Sequence, residues 1–401
     1  MSELRKRNIK LTEPRRILMT ADPIGGVWTY VMELAKGLSR HNIEISLATM
    51  GQPLSDDQKR EVANAHNITL YESSFKLEWM DNPWEDIRQS GEWLLSLEKE
   101  IKPELVHLNG YVHASLPWKA PCLVVAHSCN LSWWEAVRGT EPPPQFQRYK
   151  ERVTEGLAAA NLVVAPSAAM LFTLEFMYLP LPDGKVIYNA RSRGTFTPGK
   201  KSDYIFSVGR LWDEAKNIGT LTKASCCLAW PVYVAGEKLH PEGQVAHLDN
   251  VHSLGLLPPY KLAHWFSMAS IYAHPARYEP FGFTVLEAAI SGCALVLGDI
   301  PSLREIWQDA AVFVPPDDIW TLTRTLRILC NDRAYRDEMA GRALIRSHSF
   351  TVEAMAAGYL AAYASLLGIW GQTDARTGGI RDSFAPPPYR RIQGSEGIRC
   401  E

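Results

Sequence analysis

Ten short apolar runs, separated by helical patterns, restrict this chain to one class of fold. RILMT (16–20), EISLAT (44–49), ELVHL (104–108), CLVVAH (122–127) and NLVVAPS (161–167) are too short for core helices and too uniformly apolar for strands with one wet face. VWTYVMELAKGLSRH and DIRQSGEWLLSLEKEI lie between them with helical character. Apolar strands alternating with helices predict a doubly wound parallel sheet covered on both faces. The pattern then stops. The stretch 185–203, KVIYNARSRGTFTPGKKSD, has no clear period and reads as a linker. It restarts with YIFSVG (204–209), PVYVAG (231–236), SIYAHP (270–275), ALVLG (294–298) and AVFVP (311–315), which predict a second α/β domain of similar size. Two such halves imply a cleft, with ligands held outside the carboxyl ends of the strands. HSFTVEAMAAGYLAAYASLLG (348–368) reads as a final amphipathic helix, and the Gly-, Pro-, Ser- and Arg-rich end after it as a disordered tail. The expected divisions are 1–190, 191–348, a terminal helix over 349–369 and a tail over 370–401.

A length of 401 residues suits two or three domains. The net charge of −2 supplies no basic field for nucleic acid, so no nucleic-acid partner is expected. Seven cysteines, an odd number with no C-x-x-C pair, read as reduced, buried small hydrophobes in a cytosolic protein. The charged start MSELRKRNIKLTEPRR has no apolar core of a secretory signal, and no run of 18 apolar residues predicts a spanning helix. The expected location is the cytoplasm, with the basic start able to touch the inner face of a membrane. Nothing in the sequence indicates an oligomeric state.

Four stretches could carry chemistry. In TADPIGGVWTYVMELAKGL, Gly25 and Gly26 stand between a strand and a helix, where a backbone can approach a ligand or simply turn. The spacing is not that of a dinucleotide fingerprint. In SVGRLWDEAKN, Arg210 offers a planar fork and Lys216, six residues on, a mobile point charge, which together suit a diphosphate. His127 closes the strand of CLVVAHSCN, and His107 ends the strand before it, followed by Asn109 and Gly110; each is either a structural residue or part of a strand-end site. No histidine spacing typical of a metal site occurs. In RYEPFGFTVLEAAISG, Glu279 and Glu287 stand eight residues apart around Gly282, where a loop becomes a helix. Free N–H groups at Gly282, Phe283 and Thr284 would face a phosphate, and a carboxylate on either side could accept sugar hydroxyls. Paired carboxylates commonly mean glycoside hydrolysis, but a helix start fit for phosphate between them points to a nucleotide sugar.

At these residues the chain resembles the retaining glycosyltransferases of family 4, which have the GT-B fold, and among them the bacterial group 1 enzymes. EPFGFTVLE resembles their paired-glutamate motif, GRLWDEAKN their phosphate site, GGVWTYVMELAKGL their N-terminal glycine loop and VIYNARSRGTFTP their linker. The motifs fall in the family's order over residues 16–369. Ala190 stands where a glycine is usual. The resemblance implies an acceptor-binding first domain, a donor-binding second domain and a last helix that crosses back onto the first. It implies that Arg210 and Lys216 hold the donor diphosphate and stabilise the leaving group. Glu287 would bind ribose hydroxyls. Glu279 would contact the donor sugar with the amides of Phe281, Gly282 and Phe283, Thr284 would complete the helix start, and Gly25, Gly26 and His127 would line the donor from the other side. The implied reaction retains anomeric configuration and uses neither metal nor cofactor, the nucleotide sugar being substrate; the chain has no D-x-D. The acceptor would be a glycan or a lipid-linked saccharide. A sugar-nucleotide epimerase and an inactive nucleotide-sugar-binding scaffold remain as alternatives on the same fold. Trp133 and Trp134 could stack on a sugar or pack in the core.

Overall fold

The computed structural model describes residues 13–373, apart from 179, 240–242 and 244. The basic N-terminal segment and the expected tail from 374 onward lie outside the described residues.

The first sheet has seven parallel strands in the order β3-β2-β1-β4-β5-β6-β7. They are β1 (Arg16–Ala21), β2 (Glu44–Thr49), β3 (Ile68–Glu72), β4 (Leu105–Leu108), β5 (Cys122–Val125), β6 (Leu162–Ala165) and β7 (Gly184–Val186). The second has six strands in the order β10-β9-β8-β11-β12-β13. These are β8 (Ser202–Val208), β9 (Val232–Ala235), β10 (His252–Ser253), β11 (Ala269–His274), β12 (Ala294–Gly298) and β13 (Val312–Val314). All four residues of β4, β5 and β6 are buried, as strands sandwiched between helix layers must be. Each sheet reverses its winding once, between β1 and β4 in the first and between β8 and β11 in the second. At such switch points the crossovers diverge and leave a crevice at the carboxyl ends.

The ten expected strands are present, and three others join them. β3 is an edge strand with no fully buried residue, so no apolar run marks it. β7 takes Lys185 and Val186 out of the expected linker and pairs them with β6. β10 has two residues. The cysteines also need correcting. Cys122, Cys129 and Cys293 are buried, but Cys226 and Cys227 are exposed at the end of the helix Ile218–Ser225, where the chain turns outward.

The last helix, Val352–Thr373, runs past the expected boundary at 369. Arg333–Gly368 contains an 18-residue window that by length and composition alone could cross a membrane, a test that a core helix also passes. Its apolar face is already occupied: Met355, Tyr359 and Tyr363 are buried in the first domain's core with residues of the helix Gly26–Ser39. The two helices meet so closely at Gly37 that a Cβ there would lie 2.7 Å from that of Ala356. His107 takes part in the same packing. Its Nε2 is 3.0 Å from the Tyr30 hydroxyl and its Nδ1 is 2.7 Å from that of Tyr363. This histidine therefore bonds the returning helix to the first sheet and is fully buried.

We expect Gly37→Val to wedge this contact apart. Chemical denaturation should show a loss of about 1–3 kcal/mol, the usual cost of overpacking, and an unchanged midpoint would contradict the tight crossing.

Candidate functional site

The loop after β8 and the loop after β11 build one wall of the crevice. Gly282 has φ of 90°, a left-handed conformation that glycine adopts without strain, and caps the helix Phe283–Ile290. The turn brings Glu279 back over the strand ends. There its Oε2 lies 2.6 Å from Lys216 Nζ and 3.3 Å from His274 Nε2. The Ser302 hydroxyl donates to the Glu279 carbonyl at 2.6 Å, which fixes the loop backbone. Burial would push the Glu279 carboxyl up, but Lys216 and His274 outweigh it and hold it well below its ordinary value of 4.5. Burial holds His274 down, so it is neutral at pH 7.

Arg210 reaches Asp213 at 2.6 Å and lies over the Trp212 ring, 5.2 Å from its centroid. Burial raises the Asp213 pKa, yet Arg210 and Lys216 prevail and lower it overall. The second domain thus offers two cations, Arg210 and Lys216, each aligned by its own carboxylate. Beside them the first N–H groups of the Phe283–Ile290 helix have no partner within the helix, and they begin at Phe283 and Thr284. The Thr284 hydroxyl accepts from Tyr272 at 2.8 Å, which holds the helix start against the strand β11.

The first domain supplies the facing wall from the ends of β1, β4 and β5. His127 is half-buried, with Nε2 2.8 Å from Asn109 Oδ1 and its ring 4.5 Å from that of Tyr30. Burial lowers its pKa to about 3, so it presents a neutral imidazole. Gly25 and Gly26 are exposed at the start of the helix Gly26–Ser39. A Cβ at Gly26 would lie 3.3 Å from the Phe283 ring, so the glycine loop meets the helix start of the other domain directly. The domains also touch through Ser167, which donates to the Pro280 carbonyl at 2.8 Å, and through Tyr278 and Ser132, whose hydroxyls are 2.8 Å apart. Trp133 donates to Asp213 at 3.1 Å, and the Trp134 ring lies 5.4 Å from Phe146. The tryptophan pair therefore splits its roles: Trp133 braces Asp213 across the crevice and Trp134 packs locally.

Residues 190–344 match the family described as Glycosyl transferases group 1, and residues 24–191 match Glycosyltransferase Family 4, so the two motif-bearing halves join at the linker. The chain belongs to the group 1 glycosyltransferases. It is 27% identical over 103 residues to the O-antigen chain mannosyltransferase B of Escherichia coli, an alignment that covers 26% of this chain and 27% of that one. Across the first three curated relatives the chain spans only 16–40% of their length. Among solved structures, sucrose-phosphate synthase from Thermosynechococcus elongatus is similar with a TM-score of 0.72 at 16% identity, over 90% of this chain and 99% of that one. Anabaena HepE in complex with UDP and glucose is similar with a TM-score of 0.67 at 14% identity, over 88% of this chain and all of that one. The fold is GT-B.

In this group 1 family member, Lys216, Glu279, Arg210 and the Phe281–Thr284 turn share one wall, while Gly25, Gly26 and His127 share the other. Glu287 stands apart from Glu279. It is held by Arg191, whose Nε lies 2.9 Å from Glu287 Oε1. The sequence reading missed Arg191, Glu33, His274 and Asp22. Arg191 sits in a stretch without period, and only the fold brings it to two glutamates. His274 ends a strand just as His127 does, and that parallel could have marked it. Asp22, next to the glycine loop, accepts from the Ile24 amide at 2.8 Å and the Trp79 indole at 3.2 Å. Burial raises its pKa to about 6, although those hydrogen bonds and Arg210 oppose the rise.

Glu279→Gln removes the carboxylate that Lys216 bonds, and urea unfolding at pH 7 should show a loss of about 3 kcal/mol. The folded pKa of Glu279 is depressed, so its contribution is whole above pH 4.5 and fades as pH falls toward the folded value. The gap between wild type and variant should therefore narrow between pH 5 and pH 3; a gap as large at pH 3 as at pH 7 would contradict the ion pair.

Proposed function

We propose that this protein transfers a sugar from a nucleoside-diphosphate sugar to a saccharide hydroxyl, with retention of anomeric configuration. The observation that carries the reading is the Lys216–Glu279 pair beside the start of the Phe283–Ile290 helix, with Arg210 on the same wall. Two cations and unpartnered amides suit a diphosphate, and the half-buried carboxylate next to them suits sugar hydroxyls. Fixed positive groups aimed at the leaving phosphate act where charge develops, which is the most effective place for them.

On this reading the leaving diphosphate draws on Lys216, Arg210 and the amides of Phe283 and Thr284, while the Phe281 and Gly282 backbone follows the donor sugar. Glu279 holds that sugar and keeps Lys216 in place. His127, being neutral, acts as a hydrogen-bonding partner rather than a charge. The acceptor oxygen attacks the anomeric carbon from the face that the diphosphate leaves, and its proton passes to a departing phosphate oxygen. No step needs a glutamate nucleophile, and the diphosphate charge is met by the protein's own groups. The relatives named for O-antigen chain synthesis support a growing glycan, free or lipid-linked, as acceptor and a hexose as the transferred sugar. We place that reaction in the cytoplasm, at the inner face of a membrane when the acceptor is lipid-linked.

The reading is tested by mass-spectrometric screening of UDP-, GDP- and ADP-hexoses for transfer or slow hydrolysis. Turnover of one donor should fall about 100-fold or more in Lys216→Ala and in Glu279→Ala, the usual cost of removing one preorganised charge-stabilising group. Proton NMR of the product should show the donor's anomeric configuration. Release of an isomerised sugar nucleotide would favour an epimerase. Tight nucleotide binding with no turnover of any donor would favour a binding scaffold.

A further inference from the structure

Glu287 lies on the second domain, Glu33 on the first domain's helix Gly26–Ser39, and Arg191 on the segment between the sheets. One guanidinium joins all three. Its Nε donates to Glu287 Oε1 at 2.9 Å and its Nη1 donates to Glu33 Oε1 at 2.6 Å. The side chains of Arg191, Glu33 and Glu287 are 17%, 6% and 7% exposed, so the cluster is nearly dry. The guanidinium also lies over the buried Phe196 ring, 5.0 Å from its centroid. Ser192 donates to the other oxygen of Glu33 and accepts from Lys36 Nζ at 2.7 Å, which brings a second positive charge to the far side of Glu33.

Two details decide what this cluster can do. The grip on Glu287 uses one oxygen: its Oε2 has no hydrogen bond among the described residues, yet it is not among the buried polar atoms sealed without a partner. That oxygen is available to a ligand. Burial also pushes the Glu287 carboxyl up, and Arg191 is the group that opposes the shift. Without the guanidinium, a buried carboxylate beside Glu33 would take up a proton or turn away.

We propose that Arg191 is a positioning residue for nucleotide recognition: through its Nε bond it presents the free oxygen of Glu287 to the ribose hydroxyls, and through Glu33 it ties that presentation to the first domain. The inference rests on the reading of Glu287 as the ribose partner. A fork with fixed geometry suits this task, because a lysine cannot serve both carboxylates in one plane.

The test is calorimetric titration of the full chain with the best-binding of UDP, GDP and ADP, and with its 2′,3′-dideoxy analogue. In wild type the ribonucleotide should bind roughly tenfold or more tightly than the analogue, the worth of a hydrogen bond to a charged group. In Arg191→Met that preference should collapse to within about twofold. Affinity for inorganic pyrophosphate, bound by Lys216 and Arg210, should stay within about twofold of wild type, which loss of structure alone would not allow. If Arg191→Met fails to fold, Arg191→Lys serves, with the preference reduced at least about threefold. A wild-type preference retained in full by the variant overturns the role of Arg191 and leaves the ribose reading intact. A wild type without preference overturns both.

Discussion

The half-buried contact between Lys216 and Glu279 is the interaction on which the rest of the site depends. A cation and a carboxylate with this little access to water are most stable as a pair, and each fixes the other's position. The pair needs three segments at once: the loop after β8 for Lys216, the Gly282 turn for Glu279 and the end of β11 for His274. Once they are in place, the carboxylate stays ionised and the start of the Phe283–Ile290 helix lies alongside. The chemistry proposed here uses that arrangement with little further movement, since the charges are paired and aimed before a ligand arrives.

The same logic extends across the crevice. Trp133 of the first domain bonds to Asp213, which aligns Arg210. Tyr278, in the loop that carries Glu279, reaches Ser132 of the first domain. Arg191 joins Glu33 and Glu287 from the connecting segment. The last helix returns to the first core through Tyr359 and Tyr363 and so keeps the two sheets from separating freely. Each domain therefore finishes the other's polar groups across the crevice.

Much of this is legible in the sequence because the carrying signals are local. Apolar runs mark the central strands, and the glycine turns and charged loops follow them, so Arg210, Lys216 and Glu279 can be singled out from pattern, while pattern alone leaves His127 open between a structural and a site role. What the sequence hides is tertiary. Arg191 and Glu33 are 158 positions apart, and nothing at either position marks the other. His274 is an ordinary strand-end residue until the Gly282 turn folds Glu279 onto it. β3 is hidden because an edge strand need not be uniformly apolar, and β7 because three residues make no period. His107 errs the other way: it resembles a site residue, but the returning helix uses its polarity in the core.

The central claim is that the Lys216 wall is built for a diphosphate. Calorimetric titration with UDP, GDP and ADP against the matching nucleosides, at two salt concentrations, tests it most directly. We predict that one diphosphate binds about 100-fold or more tightly than its nucleoside, that added salt weakens only the diphosphate, and that Arg210→Ala removes most of the difference without changing the unfolding midpoint by more than a few degrees. Equal affinity for nucleoside and diphosphate, or an Arg210→Ala variant that binds both as wild type does, would contradict the account.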